Sequence, residues 1–224
     1  GLPTKDRVAR ALANQRDLYK YIHDQSVRLM NHGYTPAEIS DELVLPPGLA
    51  NDWAARGYYG TLSHNAKAVY QKYLGWYDAN PANLNPLPER DASKKYVEYF
   101  GGAAAVMAKA QADYAKGEYR WVAEVMRHVV YADPSNTEAR RLAADAFEQL
   151  GYASEAATWR NAYLVGAQEL RQGRLAARVA VLDPEMVRAM RATDVFDVLG
   201  THVNGPRAWS REVVAAMRRG DVVR

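Results

Sequence analysis

In the run RGYYGTLSHNAKAVYQKYLGWYDANP, residues 56–81, a Ser-His-Asn triplet opens a helical pattern and large aromatics follow it closely. A hydroxyl, an imidazole and a carboxamide all donate hydrogen bonds. The first turn of a helix adds backbone N–H groups without partners and the positive end of the helix dipole. Donors of this kind at Ser63, His64 and Asn65 suit an anion: a sulfate, a phosphate or a carboxylate. The plainer reading makes Ser63 a helix cap and His64 a first-turn surface residue. The aromatics Tyr58, Tyr59, Tyr70, Tyr73, Trp76 and Tyr77 likewise suit a core or an interface as well as a substrate wall.

The remaining chemistry-bearing residues form no known constellation. No two of the five histidines stand at i and i+4, and neither HxHxDH nor HExxH occurs. With no cysteine, thiolate zinc sites and disulfides are excluded, and no G-x-S-x-G elbow is present for a serine nucleophile. His23, beside Asp24 in YKYIHDQ, reads as a core histidine bonded to a neighbour. His32 and His128 read as solvent-facing or helix-end residues, and His202 in THVNGPRAW as part of a turn.

A chain of 224 residues with 48% apolar composition suffices for a buried core. The net charge of +3 comes from 29 basic and 26 acidic side chains scattered along the chain, which argues against a nucleic-acid partner. Arg211, Arg218, Arg219 and Arg224 make the nearest thing to a basic cluster, and read as a solvated surface. No window approaches the ~18 continuous apolar residues of a membrane span. The start, GLPTKDRVAR, lacks the apolar stretch of a signal peptide and, opening without methionine, reads as a segment of something longer.

The elements that must position the triplet are all helical. Val8, Leu12, Leu18, Tyr19, Ile22, Leu29 and Met30 recur along residues 4–32 as one face of a long amphipathic helix stopped by Gly33. Thr35-Pro36-Ala37-Glu38 is a capping box for a short second helix, and residues 49–56 read as another helical piece. After a turn at residues 57–60, Ala66, Val69, Tyr70, Tyr73, Leu74 and Tyr77 predict a helix from Ser63 to about Asp78. NPANLNPLPERD, residues 80–91, reads as an irregular connector or arm. Further helices are expected near 103–115, 118–132, 137–149 and 153–172. A short one near 184–192 has Asp183 as its cap. No segment alternates like a strand, so the fold class is all-α.

Gly117 and Gly151 stand 34 residues apart, each within a helix-turn-helix pattern, which is the period of tetratricopeptide repeats. Ala105, Ala110, Tyr119 and Pro134 in the first unit, and Ala139, Ala144 and Ala156 in the second, fit that pattern of small, aromatic and closing residues. On these residues alone, one reading is a tetratricopeptide-like adaptor that binds a partner and has no enzymatic role.

Longer stretches narrow the choice. GYYGTLSHNAKAVYQKYLGWYDANPANLNPLP, with QRDLYKYIHDQSVRLMNHGYTPAEI before it and the run from Tyr99 to Arg171 after it, resembles the dimerisation domain of the alkyl sulfatases of the metallo-β-lactamase superfamily. The likeness covers roughly residues 15–171. It implies a homodimer, an alkyl sulfate substrate such as dodecyl sulfate, and zinc held by a metallo-β-lactamase domain that this chain lacks. By that resemblance His64 and Asn65 face the sulfate group and Tyr77 the wall around it. Residues 1–172 are then the dimerisation-like domain and 173–224 the lead-in to a sterol-carrier-like domain. The chain alone is expected to be inactive, with no cofactor of its own, and a bacterial periplasmic or secreted location is what the resemblance implies.

Overall fold

The computed structural model describes residues 4–174 and 184–210, and these are helical, with no strand among them. They fall in two compact units, Gly1–Leu175 and Ala176–Arg224. In the first unit, α1 (Lys5–Asn31) starts at Thr4, whose hydroxyl accepts from the Arg7 N–H at 3.4 Å. It stops before Gly33, which takes φ +83°, a left-handed conformation open to glycine. The Thr35 capping box forms as the sequence requires. The Glu38 N–H donates to the Thr35 hydroxyl at 3.4 Å, and the Thr35 N–H donates to the Glu38 carboxylate at 2.8 Å, which starts α2 (Pro36–Glu42).

A short α3 (Pro47–Ala50) and a 3-10 turn (Trp53–Ala55) lead into α4 (Leu62–Leu74). Helices α1, α2 and α4 bury Ile22, Leu29, Ile39, Leu43, Ala66 and Tyr70 against one another as a first core. The start of α1 does not join it, and Val8 and Leu12, expected on the apolar face, are 44% and 67% exposed.

The connector is irregular apart from a 3-10 turn (Pro81–Asn83), but it is shorter than expected, because α5 (Glu89–Tyr99) begins at its end. Helices α6 (Ala103–Ala115), α7 (Tyr119–Ala132), α8 (Thr137–Ala153) and α9 (Ala157–Gln172) follow. Helix α7 lies against α5, α6 and α8, and α8 against α9. Their second core centres on Val122 and Met126, both fully buried, with Val106, Ala110, Val129 and Ala139 around them.

The two spaced glycines do different work. Gly117 takes φ +83° in the turn between α6 and α7. Gly151 lies inside α8, where a Cβ would come within 2.8 Å of Leu164 on α9. Its value there is close approach of two helices, and the turn itself falls at residues 154–156.

In the second unit the helix expected near 184–192 is replaced by α10 (Pro184–Ala189) and α11 (Ala192–Gly200), with α12 (Gly205–Ala208) after them. Asp194 starts α11 by accepting from the Arg191 N–H at 3.2 Å. The proposed cap Asp183 and the arginines at 211, 218, 219 and 224 lie outside the described residues. No helix among the described residues is long and apolar enough to cross a membrane.

Candidate functional site

The loop at residues 57–60 is folded on itself tightly. A Cβ on Gly57 would lie 2.8 Å from the Gly60 carbonyl oxygen, and one on Gly60 would lie 3.2 Å from the Asn65 amide oxygen. Helix α9 holds the loop from the other side. The Ala157 N–H donates to the Tyr58 carbonyl at 2.8 Å, and the Thr158 hydroxyl donates to the Tyr59 carbonyl. Arg56 and Glu155 pair at 2.6 Å beside these bonds.

The helix cap is Thr61, whose hydroxyl accepts from the His64 N–H at 2.9 Å, and not Ser63. Leu62 decides this. As the first helical residue it packs against the first core, which draws the start of α4 two residues forward and puts Ser63 inside the helix. His64 is exposed and Asn65 half-buried, and among the described residues neither side chain has a hydrogen-bond partner.

Two clefts meet at this point and share Tyr59, Gly60 and Asn65. The larger, about 960 Å³, runs between α1, the loop and α4, with His23, Arg56, Lys72 and Glu155 among its polar lining. The smaller, about 540 Å³, lies between the start of α4 and α9, lined also by His64, Thr158, Trp159, Ala162 and Tyr163. Trp159 meets the His64 ring edge-on, with centroids 6.3 Å apart and planes at 74°.

Tyr77 is not brought to either cleft. Gly75 at φ +79° ends α4 at Leu74, so Tyr77 falls outside the helix expected to carry it. It is half-buried, edge-on to Trp76 at 5.9 Å. Structure thus joins His64 and Asn65 with α9 residues that sequence spacing did not reveal. The only local hint was an aromatic pair four residues apart, Trp159 and Tyr163.

Two of the other histidines, His23 and His128, are bonded to neighbouring side chains. His23 bridges Asp24 at 2.9 Å and the Tyr73 hydroxyl at 2.7 Å. The Lys20 hydrogen bond, with that of His23, holds the Asp24 carboxyl below its ordinary range. His128 corrects the expectation of a solvent or helix-end residue. It lies within α7 against α5, bonded to the fully buried Ser93 hydroxyl at 3.0 Å, with the Tyr96 ring tilted by 38° against it at 4.6 Å. Burial, with the neighbouring Arg127 charge, lowers its proton affinity. His32 caps the end of α1, and His202 lies in a turn as expected. Among the described residues, no three His, Cys, Asp or Glu side chains are grouped to hold a metal ion.

The alkyl sulfatase dimerisation family matches residues 35–173, from the start of α2 through α9. The chain belongs to that family. Its sequence is 56% identical over 216 residues to an alkyl/aryl-sulfatase, BDS1, of Saccharomyces cerevisiae, covering 93% of this chain and 32% of the relative. It is 50% identical over 200 residues to a linear primary-alkylsulfatase of a Pseudomonas species, covering 89% of this chain and 30% of that protein. The solved structure of the stereoselective inverting sec-alkylsulfatase Pisa1 from Pseudomonas superposes with a TM-score of 0.87 at 47% identity, over 91% of this chain and 32% of that one. The chain therefore spans about a third of the length of the relatives it matches. The family match takes in the 57–60 loop, the start of α4 and its α9 contacts. It also takes in exposed apolar side chains, Trp76, Leu84, Leu87 and Tyr99, which are 69%, 57%, 52% and 88% exposed.

Proposed function

We propose that this chain is the dimerisation domain of an alkyl sulfatase whose intact polypeptide hydrolyses alkyl sulfates such as dodecyl sulfate to the alcohol and inorganic sulfate. The observation that carries the reading is the family match over residues 35–173, together with relatives at 47–56% identity that are named as alkylsulfatases. In this reading residues 1–172 are the dimerisation domain and 173–224 lead into a sterol-carrier-like domain. Zinc belongs to a metallo-β-lactamase domain elsewhere in the polypeptide. The described residues offer it no ligand group, so no step of the reaction is assigned to metal chemistry in this chain.

His64 and Asn65 contact the sulfate oxygens as hydrogen-bond donors outside the metal ligands. Support for this comes from their shared cleft and their side chains' lack of hydrogen-bond partners among the described residues. Dimer formation uses the exposed apolar start of α1 and the connector, where Leu12, Leu84 and Leu87 are each more than half exposed in the single chain.

The test uses the intact polypeptide. His64→Ala and Asn65→Ala should each lower kcat/KM for dodecyl sulfate, below its micelle concentration, by on the order of a hundredfold, the loss typical of a removed transition-state donor. Unchanged kinetics in both variants would overturn the assignment of these residues. Failure of the intact polypeptide to release sulfate would overturn the activity itself.

A further inference from the structure

We propose that the smaller cleft, between the start of α4 and the first turns of α9, seats the organic group of the sulfate ester, with Trp159 and Tyr163 as its walls. This rests on the reading of His64 and Asn65 as the sulfate contacts.

The cleft has two chemically different sides. One is the His64 imidazole and the Asn65 carboxamide, both without hydrogen-bond partners among the described residues. The other is built from Tyr59, Trp159 and Tyr163 rings and the Ala162 methyl group, and no carboxylate, ammonium or guanidinium lines it. A sulfate ester has the matching division, an anionic head joined directly to an apolar group. The larger cleft also has apolar lining, from Leu18, Ile22, Leu45 and Val69, but it sets Arg56, Lys72 and Glu155 beside them and does not include His64.

The walls are also held in place before any ligand arrives. Trp159 and Tyr163 stand four residues apart on one face of α9. Both are half-buried. The Tyr163 ring rests against Phe147 of α8, with centroids 6.0 Å apart. Thr158 and Ala157 tie the same end of α9 to the carbonyls of Tyr59 and Tyr58, so the backbone on the far side of the cleft is fixed to the helix that carries both rings. Rigid aromatic surfaces of this kind bind apolar groups with little loss of side-chain freedom. Trp159 has a second part to play, because its edge-on contact at 6.3 Å sets the direction in which the His64 ring faces the cleft. It is a positioning residue for His64 as well as a wall.

The experiment compares n-butyl, n-hexyl and n-octyl sulfate as substrates of the intact polypeptide. In the unaltered protein kcat/KM should rise about fourfold for each methylene that the cleft takes out of water. Trp159→Ala and Tyr163→Ala should flatten that rise, and Trp159→Phe should restore most of it. Ala162→Phe changes an exposed position on α9 and so leaves the core intact, but fills the cleft. It should cut kcat/KM for octyl sulfate about tenfold more than for butyl sulfate. Inorganic sulfate as a competitive inhibitor separates the two levels of the reading. Tyr163→Ala and Ala162→Phe should leave its inhibition unchanged, whereas His64→Ala and Asn65→Ala should weaken it. A chain-length dependence identical to the unaltered protein in Tyr163→Ala and Ala162→Phe, with sulfate inhibition weakened by His64→Ala, would overturn the cleft assignment and leave the sulfate contacts standing. Sulfate inhibition unaffected by His64→Ala and Asn65→Ala would remove the sulfate contacts, and the cleft assignment with them.

Discussion

Replacing Gly57 by alanine tests how tightly the loop beside the candidate site is built. The added methyl would lie 2.8 Å from the Gly60 carbonyl oxygen and 3.5 Å from the Thr61 Cα, whereas ordinary contact begins near 3.4 Å. The carbonyl must therefore retreat by roughly 0.6 Å, a backbone shift of the overpacking kind. It has little freedom to do so. The two preceding carbonyls are bonded to the Ala157 N–H and the Thr158 hydroxyl, and the Asn65 side chain lies against Gly60. Overpacking of this kind costs about 1–3 kcal/mol. In a domain of this size each kcal/mol lowers Tm by about 2–4 °C, so Gly57→Ala should melt about 2–12 °C earlier when followed by far-UV circular dichroism. Gly48→Ala is the internal control. Gly48 is helical, nothing lies within 4 Å of its added Cβ, and the change should be neutral or raise stability by about 0.4–1 kcal/mol. A Gly57→Ala protein that melts with the unaltered one would refute the tight loop and the positioning argument built on it.

Two further perturbations read the second core. His128 binds a proton less readily in the folded chain than an ordinary histidine, through burial and Arg127, with Glu89 and Glu124 opposing. The unfolded chain therefore binds more protons below the ordinary histidine pKa of about 6.5. Its stabilising contribution is complete above that value and declines as pH falls toward the lowered folded-state pKa, so the urea midpoint should drop on acidification and do so less in His128→Asn. Arg171 forks onto Glu148 at 2.7 and 2.8 Å and reaches Asp145 at 2.7 Å. Arg171→Met should cost about 1 kcal/mol at low salt and less at high salt, as for a partly exposed ion network. The Arg171 hydrogen bond holds the Glu148 carboxyl below its ordinary range. The pair's contribution is thus present above the ordinary carboxylate pKa and lost as pH falls through the lowered one.

Helices with strong end signals were legible in the sequence. The Thr35 capping box, the Gly33 stop and the α6 to α9 series each combine a local signal with a clear apolar face, and their limits differ from the expected ones by a few residues at most. Helix α5 was not legible, because the face it turns to α7 is narrow. Ser93 is its buried residue and Val97 packs against the second core, while Tyr96 and Tyr99 are 49% and 88% exposed. The start of α4 is ambiguous in the sequence, where two hydroxyl residues two positions apart compete to cap it, and Leu62 settles the matter through a long-range contact. Gly75 is a readable stop signal, and at φ +79° it keeps Tyr77 out of α4. His64 and Asn65 stood out by their place at a helix start. Trp159, Tyr163 and Thr158 did not, since they reach the same cleft only through the packing of α9 on the 57–60 loop.

The most direct test of the dimerisation reading is the solution mass of this chain by light scattering over a hundredfold range of concentration. A dimerisation domain should give a particle of twice the 25.0 kDa chain mass throughout, with exposed Leu12, Leu84 and Leu87 protected in hydrogen-exchange and labelling experiments on the same sample. A single-chain mass at every concentration would contradict it.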